Sequence, residues 1–379
     1  MEKKTIRVMH ICPLGTGGIT NLVLNICDNI NREIVNFDYL TYRDRKEFAE
    51  ERALSYGGEK YIADNEHVKI KFMKFWVKFF RTYKVFKKSK SDIFHINAST
   101  PYDTLVGIAA KMAGVKKVVV HSHNASNSNT TPIKELTNSI GKTLMPLYTD
   151  AYFACSTEAA EYLLPKKVFK THNYEYIKNG INTNRFKYDK GIRDKIRLEY
   201  HWNDKFVVCN VGRFSKQKNQ ALLIDVFYEL TKIRDDAVLL LIGIGDLEES
   251  LKEKVNSYGI NDKVVFLGST HNVQDYLFAS DVYVMTSLHE GLPVSGIEAQ
   301  TTGLKCVFAD TITREVDISG NSTFVSLDSS TKEWADIISA KTSTDTERNE
   351  GVTKTINAGF DIATVAQKLS DFYNNLLKV

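Results

Sequence analysis

Short apolar runs alternate along this chain with longer segments of helical periodicity, and this alternation constrains the fold more than any other feature. Runs such as Val238 to Ile242 are continuously apolar, which is typical of strands buried on both faces of a parallel sheet. Strands and helices that alternate at this spacing form βαβ units. The sequence therefore predicts an α/β protein of Rossmann type. The candidate strands are 6–12, 37–42, 92–97, 116–122, 151–156 and 174–179, then 206–212, 238–243, 264–268, 282–287, 305–310 and 323–327.

The strands fall into two series, and a length of 379 residues suits two domains better than one core. A polar stretch at about 184–204 separates the series and is the predicted linker. The expected domains are 1–183 and 184–361. Apolar residues at helical spacing from Ile362 onwards predict a terminal helix, about 362–379, that packs back on the first domain.

Composition restricts the class of protein further. The chain has no run of about 18 apolar residues, and its first apolar stretch is too short for a signal peptide, so we expect a cytoplasmic protein. Its five cysteines form no CxxC pair, which predicts reduced thiols in the core rather than disulfides or a zinc site. A net charge of +4 gives no reason to expect a nucleic-acid partner.

A glycine-rich turn follows the first strand. Gly15, Gly17 and Gly18 lie between that strand and a segment with helical periodicity. Such a turn lets backbone N–H groups approach an anion at the helix N-terminus. The pattern matches neither a dinucleotide fingerprint nor a P-loop, so an ordinary tight turn remains the alternative.

The second domain opens with a strand that ends at Gly212, followed by Arg213 and, five residues later, Lys218. Ligands of parallel α/β sheets bind at the carboxyl ends of strands. Two cations there suit a diphosphate, since Arg binds phosphate oxygens in a bidentate manner and Lys supplies a point charge. The alternative is a solvated basic loop.

The most specific pattern is a pair of glutamates, Glu290 and Glu298, that follows the apolar strand 282–287. Gly291 permits close approach of the backbone to a ligand, and Pro293 suits the first turn of a helix. The N–H groups of that helix can hold a phosphate, and Glu298 can accept hydrogen bonds from a ribose diol. The alternative is an acid at a helix N-terminus together with a second, surface acid.

No metal or other cofactor is expected. The chain has no Asp-x-Asp after a strand, and Asp235-Asp236 precedes a strand, which is the wrong end of a parallel sheet.

The segment from Glu290 to Glu298 resembles the E-x7-E motif of the retaining glycosyltransferase family 4, which has the GT-B fold. The resemblance covers nearly the whole chain and is closest to bacterial capsule and exopolysaccharide transferases. It implies two Rossmann-like domains with parallel sheets that face each other across a cleft. Asn182 and the pair Thr301-Thr302 depart from the usual pattern without removing a catalytic group. The other matching segments are Gly17 to Ile19, Asn179 to Asn182, Gly212-Arg213 with Lys218, Leu241 to Asp246 and Val265 to Gly268.

The resemblance also implies roles for single residues. Arg213 and Lys218 stabilise the departing diphosphate, Glu290 lies near the transferred sugar, and these three with a histidine form the catalytic set. The pocket histidine follows strand 116–122; both His121 and His123 are candidates, and the alignment of the strand favours His123. The expected donor-binding residues are Gly17, Gly18, Gly212, Arg213, Lys218, Gly243, Gly268, Glu290, Gly291, Leu292, Pro293, Val294 and Glu298.

The activity implied is transfer of a hexose or related sugar from a nucleotide-sugar, with UDP as the expected nucleotide, to a hydroxyl of a glycan or lipid-linked acceptor. Anomeric configuration would be kept. Two rivals remain: an inactive transferase-like partner subunit, which the intact Glu290, Glu298, Arg213 and Lys218 argue against, and a dinucleotide-dependent oxidoreductase, which the missing ribose-binding acid argues against.

A basic segment in the first domain carries a separate signal. Residues 69–90 hold eight lysines, one arginine and no acid, and their aromatic residues recur at helical spacing. Such a helix is typical of elements at an anionic membrane surface, which would place the protein at the inner face of the cell membrane. The alternative is an ordinary packed helix with a solvated face. The candidate membrane-facing residues are Lys71, Lys74, Lys78, Arg81, Lys84 and Lys88.

Overall fold

The structure, a computed structural model, describes residues 5–15, 18–64, 66–68, 71–123 and 131–378, except for the side chains of residues 71 and 72. It consists of two units. Unit 1 runs to Gly180 and resumes at Ile362, and unit 2 is Ile181–Asp361.

Unit 1 is built on a seven-stranded parallel sheet in the order β3-β2-β1-β4-β5-β6-β7. The register starts at Ile6 opposite Val35 and continues on the other side with Val8 opposite Ile93. The strand order reverses between β1 and β4, which is where ligands bind in open α/β sheets. The strands are β1 (Ile6–Ile11), β2 (Val35–Thr41), β3 (Lys60–Ile62), β4 (Ile93–Ala98), β5 (Lys117–Ser122), β6 (Ala151–Ala154) and β7 (Glu175–Tyr176).

Helices cover both faces of this sheet because its strands are apolar on both sides. The last helix of the chain returns to unit 1, where Val365, Leu369 and Tyr373 are buried in one core with Leu22 of the first helix. The described helices are α1 (Gly18–Asn29), α2 (Glu50–Ser55), α3 (Lys71–Lys88), α4 (Val106–Ala113), α5 (Pro132–Leu144), α6 (Thr157–Leu163), α7 (Lys166–Lys170) and α15 (Ile362–Leu376), with 3₁₀ helices Pro101–Leu105 and Met145–Leu147.

Unit 2 repeats the architecture with a six-stranded parallel sheet in the order β10-β9-β8-β11-β12-β13. Its strands are β8 (Phe206–Val211), β9 (Ala237–Ile242), β10 (Val264–Gly268), β11 (Val282–Met285), β12 (Lys305–Ala309) and β13 (Thr323–Val325). Its helices are α8 (Lys190–Glu199), α9 (Gln220–Ile233), α10 (Glu248–Ser257), α11 (Val273–Ala279), α12 (Val294–Thr301), α13 (Thr331–Ser339) and α14 (Asp345–Asn357), with 3₁₀ helices Asn261–Lys263 and Arg314–Val316. The strand order reverses between β8 and β11.

The predicted fold class, α/β with two parallel-sheet domains, is confirmed. Each candidate strand is present, although β7 is only two residues long against a prediction of 174–179. Strand β3 was missed because its three residues at the edge of the sheet are too few to show a periodicity. The five cysteines are buried and free, as expected.

The predicted linker at 184–204 is wrong, because this stretch contains helix α8 inside unit 2. The Asp189 side chain caps the helix by accepting from the Ile192 amide (3.0 Å). Arg193 donates to the carbonyls of Phe278 and Ser280 at the end of α11, both at 2.8 Å. Ile196 of this helix is also buried in the core of unit 2, so apolar packing and arginine hydrogen bonds hold the helix together. The stretch looked like a linker because most of its residues are polar.

No helix within the described residues is long and apolar enough to cross a membrane.

Candidate active site

The loops at the carboxyl edge of the unit 2 sheet pack backbone against backbone. Gly243 has a φ of +150°, and a Cβ there would lie 2.0 Å from the Gly212 carbonyl oxygen. A Cβ at Gly245 would lie 2.2 Å from the Phe214 carbonyl oxygen. Gly268, at the end of β10, also has a positive φ, +77°. These glycines let the loops after β8 and β9 close on each other, which fixes the position of the residues after Gly212.

An ion pair joins the loop after β8 to the loop after β11. The Lys218 ammonium lies 2.6 Å from a Glu290 carboxylate oxygen, and both side chains are mostly buried. Two further bonds connect the loops: the Leu288 amide donates to the Gln217 carbonyl (2.8 Å), and the Gln217 amide group donates to the His289 carbonyl (3.0 Å). The structure thus brings together two predicted catalytic residues that are far apart in sequence.

Arg213, the other predicted cation, engages a different acid. Its guanidinium lies 3.2 Å from Asp246, and both side chains are largely exposed. An exposed pair of this kind contributes little to stability, and its arginine is therefore available to a ligand.

Helix α12 begins next to Glu290 and has no side-chain cap at its N-terminus. Pro293 is the residue before the first helical residue, Val294, so its predicted place in the first turn is wrong by one position. The N–H groups of Gly291, Leu292 and Val294 lie at this uncapped end, where the helix dipole favours an anion.

Glu298 lies one turn into α12. Burial raises its pKa to about 7, an effect that the positive charge of Arg185 reduces. Arg185 is held in place by the His271 carbonyl and by Gln274 (3.0 Å). Hydroxyl donors of a ligand, such as a ribose diol, can stabilise a buried carboxylate that is costly to ionise.

In unit 1, three neighbouring strands carry histidines into the interior of the sheet. His10 of β1 stacks on His95 of β4 with ring centroids 4.5 Å apart. His95 lies 3.2 Å from His121 of β5 and 2.5 Å from the Tyr373 hydroxyl of α15. Burial lowers the pKa of His10 to about 3, and burial also lowers the pKa of His95 and His121 well below the ordinary value. These rings are therefore neutral at pH 7.

Asn97 fixes the tautomer of His123. The Asn97 amide nitrogen donates to the Ile11 carbonyl (3.1 Å), so its oxygen faces His123 Nε2 at 2.9 Å. His123 must donate through Nε2, and its Nδ1 is left as an acceptor. Burial lowers the pKa of His123 to about 4, so the ring is neutral. His121 is committed to His95 inside the sheet, and His123 remains our candidate for the pocket histidine.

A cavity of about 600 Å³ opens at the carboxyl ends of β1, β2 and β4 in unit 1. Its wall combines aromatic rings with hydrogen-bonding groups of both charges. The aromatic, charged and amide side chains of the wall include those of Tyr42, Arg45, Glu47, Phe48, Asn97 and Asp103.

Lys78 also lines this cavity, and its predicted place among the membrane-facing residues is wrong. Its ammonium lies 3.5 Å from Asp103 and 4.3 Å from the centre of the Tyr42 ring. Helical spacing alone could not predict that the Lys78 side chain contacts Asp103 and Tyr42 at the cavity wall.

The remaining predicted residues differ in whether the structure describes them and in how exposed their side chains are. Gly17 and the side chain of Lys71 lie outside the described residues, and Gly18 begins α1. Lys74, Arg81, Lys84 and Lys88 are exposed. Arg81 is tied to Asp64, which lies 3.5 Å away. Among the described residues, no group of three or more His, Cys, Asp or Glu side chains is arranged to hold a metal ion.

Sequence reasoning missed several partners of the site: Asp246, Arg185 and Asn97. A signal existed only for the histidine cluster, since His10 and His95 are polar residues inside otherwise apolar strands. The other partners come from loops whose approach depends on the folded chain.

Solved structures share this architecture over the whole chain. The crystal structure of HepE from Anabaena in complex with UDP has a TM-score of 0.77 at 17% identity, with 98% of this chain and 100% of that chain covered. The two parallel-sheet units and this likeness define the class of the protein, a GT-B fold.

Sequence comparisons define the family. Residues 16–185 match the model described as Glycosyltransferase Family 4, and residues 192–349 match Glycosyl transferases group 1. The chain belongs to the family 4 glycosyltransferases, as the sequence analysis expected. It is similar to glycosyltransferase EpsF of Bacillus subtilis, with 28% identity over 99% of this chain and 98% of that one. It is also 29% identical, over 60% of each chain, to the UDP-Gal:alpha-D-GlcNAc-diphosphoundecaprenol alpha-1,3-galactosyltransferase of Escherichia coli.

Proposed function

We propose that this glycosyltransferase moves a hexosyl group from a UDP-sugar to a hydroxyl of a glycan or lipid-linked acceptor, with retention of anomeric configuration, during synthesis of a surface polysaccharide. The observation that carries the proposal is the Lys218–Glu290 pair beside the uncapped N-terminus of α12. The similarity to EpsF and to the UDP-galactose-dependent enzyme of Escherichia coli supports the choice of donor and pathway.

In this proposal unit 2 binds the donor. Glu298 accepts hydrogen bonds from the ribose hydroxyls, while Arg213 and the N–H groups of Gly291 to Val294 hold the diphosphate. Lys218 exchanges part of its contact with Glu290 for a phosphate oxygen, which leaves Glu290 available to the hydroxyls of the sugar. A fixed cation near the leaving group stabilises the charge that develops there.

The proposed reaction breaks the bond between sugar C1 and the oxygen of the diphosphate. The acceptor oxygen forms its bond to C1 on the same face, and the acceptor proton passes to the departing phosphate oxygen. UDP leaves with the bonding electron pair, so the step needs no enzymic nucleophile. The neutral His123, with Nδ1 as acceptor, can orient a substrate hydroxyl.

The acceptor would bind in the cavity of unit 1. The exposed ring of Phe48 offers a stacking surface for a sugar ring. Arg45 and Glu47, paired at 2.7 Å, offer a hydrogen-bond donor and an acceptor side by side. This combination suits a glycan better than a bare phosphate, because the wall carries acids as well as cations.

We also infer that no metal or other cofactor is needed, since Lys218, Arg213 and the α12 N-terminus supply positive charge for the phosphates. The exposed lysines of α3 would bring the enzyme to the inner face of the cell membrane, where a lipid-linked acceptor resides. No nucleic acid is proposed as a partner.

The experiment that tests this proposal is a screen of UDP-, GDP- and dTDP-sugars for release of free nucleotide by the purified chain. Release from a UDP-sugar, without any partner protein, supports the transferase and excludes an inactive subunit. No release from any donor, combined with thermal stabilisation by NAD, would overturn it in favour of an oxidoreductase.

A further inference from the structure

The loops after β8 and β11 carry the two members of the catalytic ion pair, and side chains hold these loops together. The parallel register between β8 and β11 ends with Cys209 opposite Tyr283. At the next position along both strands, the buried Asn210 side chain donates from its amide nitrogen to the Val284 carbonyl (2.7 Å). A side chain therefore continues the connection between the two strands where the backbone register stops.

Thr286 makes a second connection of this kind. It follows β11 directly and is fully buried. Its hydroxyl donates to the carbonyl of Asn219 (2.9 Å), the residue after Lys218. Asn219 has a φ of +53°, in the left-handed region that asparagine tolerates better than most residues. Its carbonyl also accepts from the Leu222 amide (3.2 Å), so helix α9 does not depend on the threonine hydroxyl to begin here.

The residue before Lys218 is bonded to the same loop. The Gln217 carbonyl accepts from the Leu288 amide (2.8 Å), and the Gln217 side chain donates to the His289 carbonyl (3.0 Å). Lys218 therefore stands between two residues that are each bonded to the loop carrying Glu290. These bonds restrict the backbone on both sides of the lysine and leave its side chain to reach the carboxylate.

The loop after β11 is fixed on its other side by the loop after β12. The Thr311 hydroxyl donates to the Ser287 carbonyl (2.8 Å), and Glu290 forms an isolated parallel bridge with Ile312. The loop after β11 is thus the fixed partner. A shift of the lysine relative to Glu290 requires that the bonds to the β8 loop break first.

We propose that Thr286 and Gln217 are positioning residues that hold the Lys218 ammonium where charge develops on the departing diphosphate. Both act through Lys218 and neither contacts the donor. Stabilisation of a transition state needs a preorganised cation, and a displacement of about 1 Å can cost about 100-fold in rate. Affinity for UDP depends on other groups, the Glu298 carboxylate and the N-terminus of α12. The inference rests on the proposed function, which assigns the leaving group to Lys218.

The first test compares Thr286→Val, which removes the hydroxyl and keeps the shape, with Thr286→Ser, which keeps the donor. Thr286→Val should lower kcat about tenfold and change the Kd for UDP by less than about twofold. Thr286→Ser should stay within about threefold of wild type in both. The matched control is Thr355→Val, since Thr355 is a fully buried threonine of α14 whose hydroxyl donates to the Gly351 carbonyl (2.9 Å). It should keep wild-type kcat.

The second test is a double-mutant cycle. Added to Lys218→Ala, the change Thr286→Val should lower kcat by less than about twofold, because a positioning residue has nothing left to position. A further tenfold loss in that background would show that the threonine acts on something other than Lys218 and would overturn the inference. So would wild-type kcat in Thr286→Val, or equal losses in the valine and serine variants.

Gln217→Met gives an independent measure, because Gln217 is exposed and its replacement leaves the core intact. It should lower kcat about threefold or more and leave the Kd for UDP unchanged. A larger effect on UDP binding than on kcat would make Gln217 part of the nucleotide site and would contradict a positioning role. Nucleotide release by wild type reports on the proposed function itself. Active wild type with variants that do not separate in this way overturns the positioning inference alone.

Discussion

The two units share one architecture but differ in where they place ionisable side chains. Unit 1 buries His10, His95 and His121 inside its sheet, on strands β1, β4 and β5. Unit 2 keeps its histidines exposed, and the buried residues of its corresponding strands are apolar except for Asn210. At the carboxyl edge of its sheet, the Lys218 ammonium pairs with the Glu290 carboxylate.

This difference shows how one fold can serve two purposes. Buried histidines are tolerated when they are neutral. In unit 1, His95 is hydrogen-bonded to His121 and His10 stacks on His95, so they act as polar core residues. In unit 2, charges at the edge can exchange an internal partner for a ligand. We therefore expect pH to act on the stability of unit 1 and substitutions at the edge to act on the chemistry of unit 2.

The largest expected effect is acid destabilisation of unit 1. Because the pKa of each buried histidine is lower in the folded chain than its ordinary value of about 6.5, unfolding takes up protons. Stability is full above pH 6.5 and falls as the pH drops towards 4, by roughly 1 kcal/mol per histidine per pH unit. Hydrogen exchange at pH 7 and pH 5 should show protection lost in β4 and β5 before β8 and β11.

The variant His10→Phe sharpens this comparison. It removes one buried imidazole while keeping a ring that can stack on Phe37, now 4.2 Å from His10. The dependence of unfolding free energy on pH should become shallower. Equal loss of protection in both units at pH 5 would contradict the assignment of acid sensitivity to unit 1.

The next effect is on catalysis in unit 2. Lys218→Ala should reduce turnover about 100-fold or more, close to 3 kcal/mol, because a fixed cation at the leaving group is lost. Lys216→Ala, in the same loop and exposed, is the matched control and should stay near wild type. Steady-state kinetics with the donor found in the screen measures both. A threefold loss or less in Lys218→Ala would remove this residue from the catalytic set.

Glu290→Gln separates two roles of the same ion pair. We expect turnover to fall more than the affinity for UDP, since Glu290 is assigned to the sugar. If titration shows UDP binding to be the more affected property, Glu290 acts mainly by positioning Lys218.

A smaller effect concerns Glu298. Since burial raises its pKa to about 7, its ionised fraction rises about tenfold between pH 6 and pH 8. An ionised carboxylate is the better acceptor for ribose hydroxyls, so UDP affinity should rise by up to about tenfold over this range. Calorimetry at both pH values tests this, with Glu298→Gln as the variant that should show a flat response. A rise of equal size in that variant would assign the pH dependence to another group.

The smallest expected effect is that of chelation. Activity should survive EDTA, because side chains and a helix N-terminus carry the phosphate charge. Complete loss of activity that manganese or magnesium restores would show that the edge of unit 2 needs a metal.

The sequence was sufficient for the apolar strands, because burial on both faces leaves a continuous pattern such as Val238 to Ile242. The sequence was insufficient for α8, whose arginines donate hydrogen bonds to carbonyls at the end of α11. It was also insufficient for β3, a short strand that is defined by its pairing with β2. Helical spacing placed Lys78 on a solvent face, but its nearness to Asp103 depends on where another element packs.

By itself, the sequence determined that this protein has two α/β domains and carries the glycines, cations and glutamates of a family 4 glycosyltransferase, since periodicity and motif spacing are local properties. Only the tertiary structure decided that Lys218 pairs with Glu290 and that Asn97 sets the tautomer of His123. Those contacts join residues distant in sequence, and their partners are chosen by the packing of the sheets.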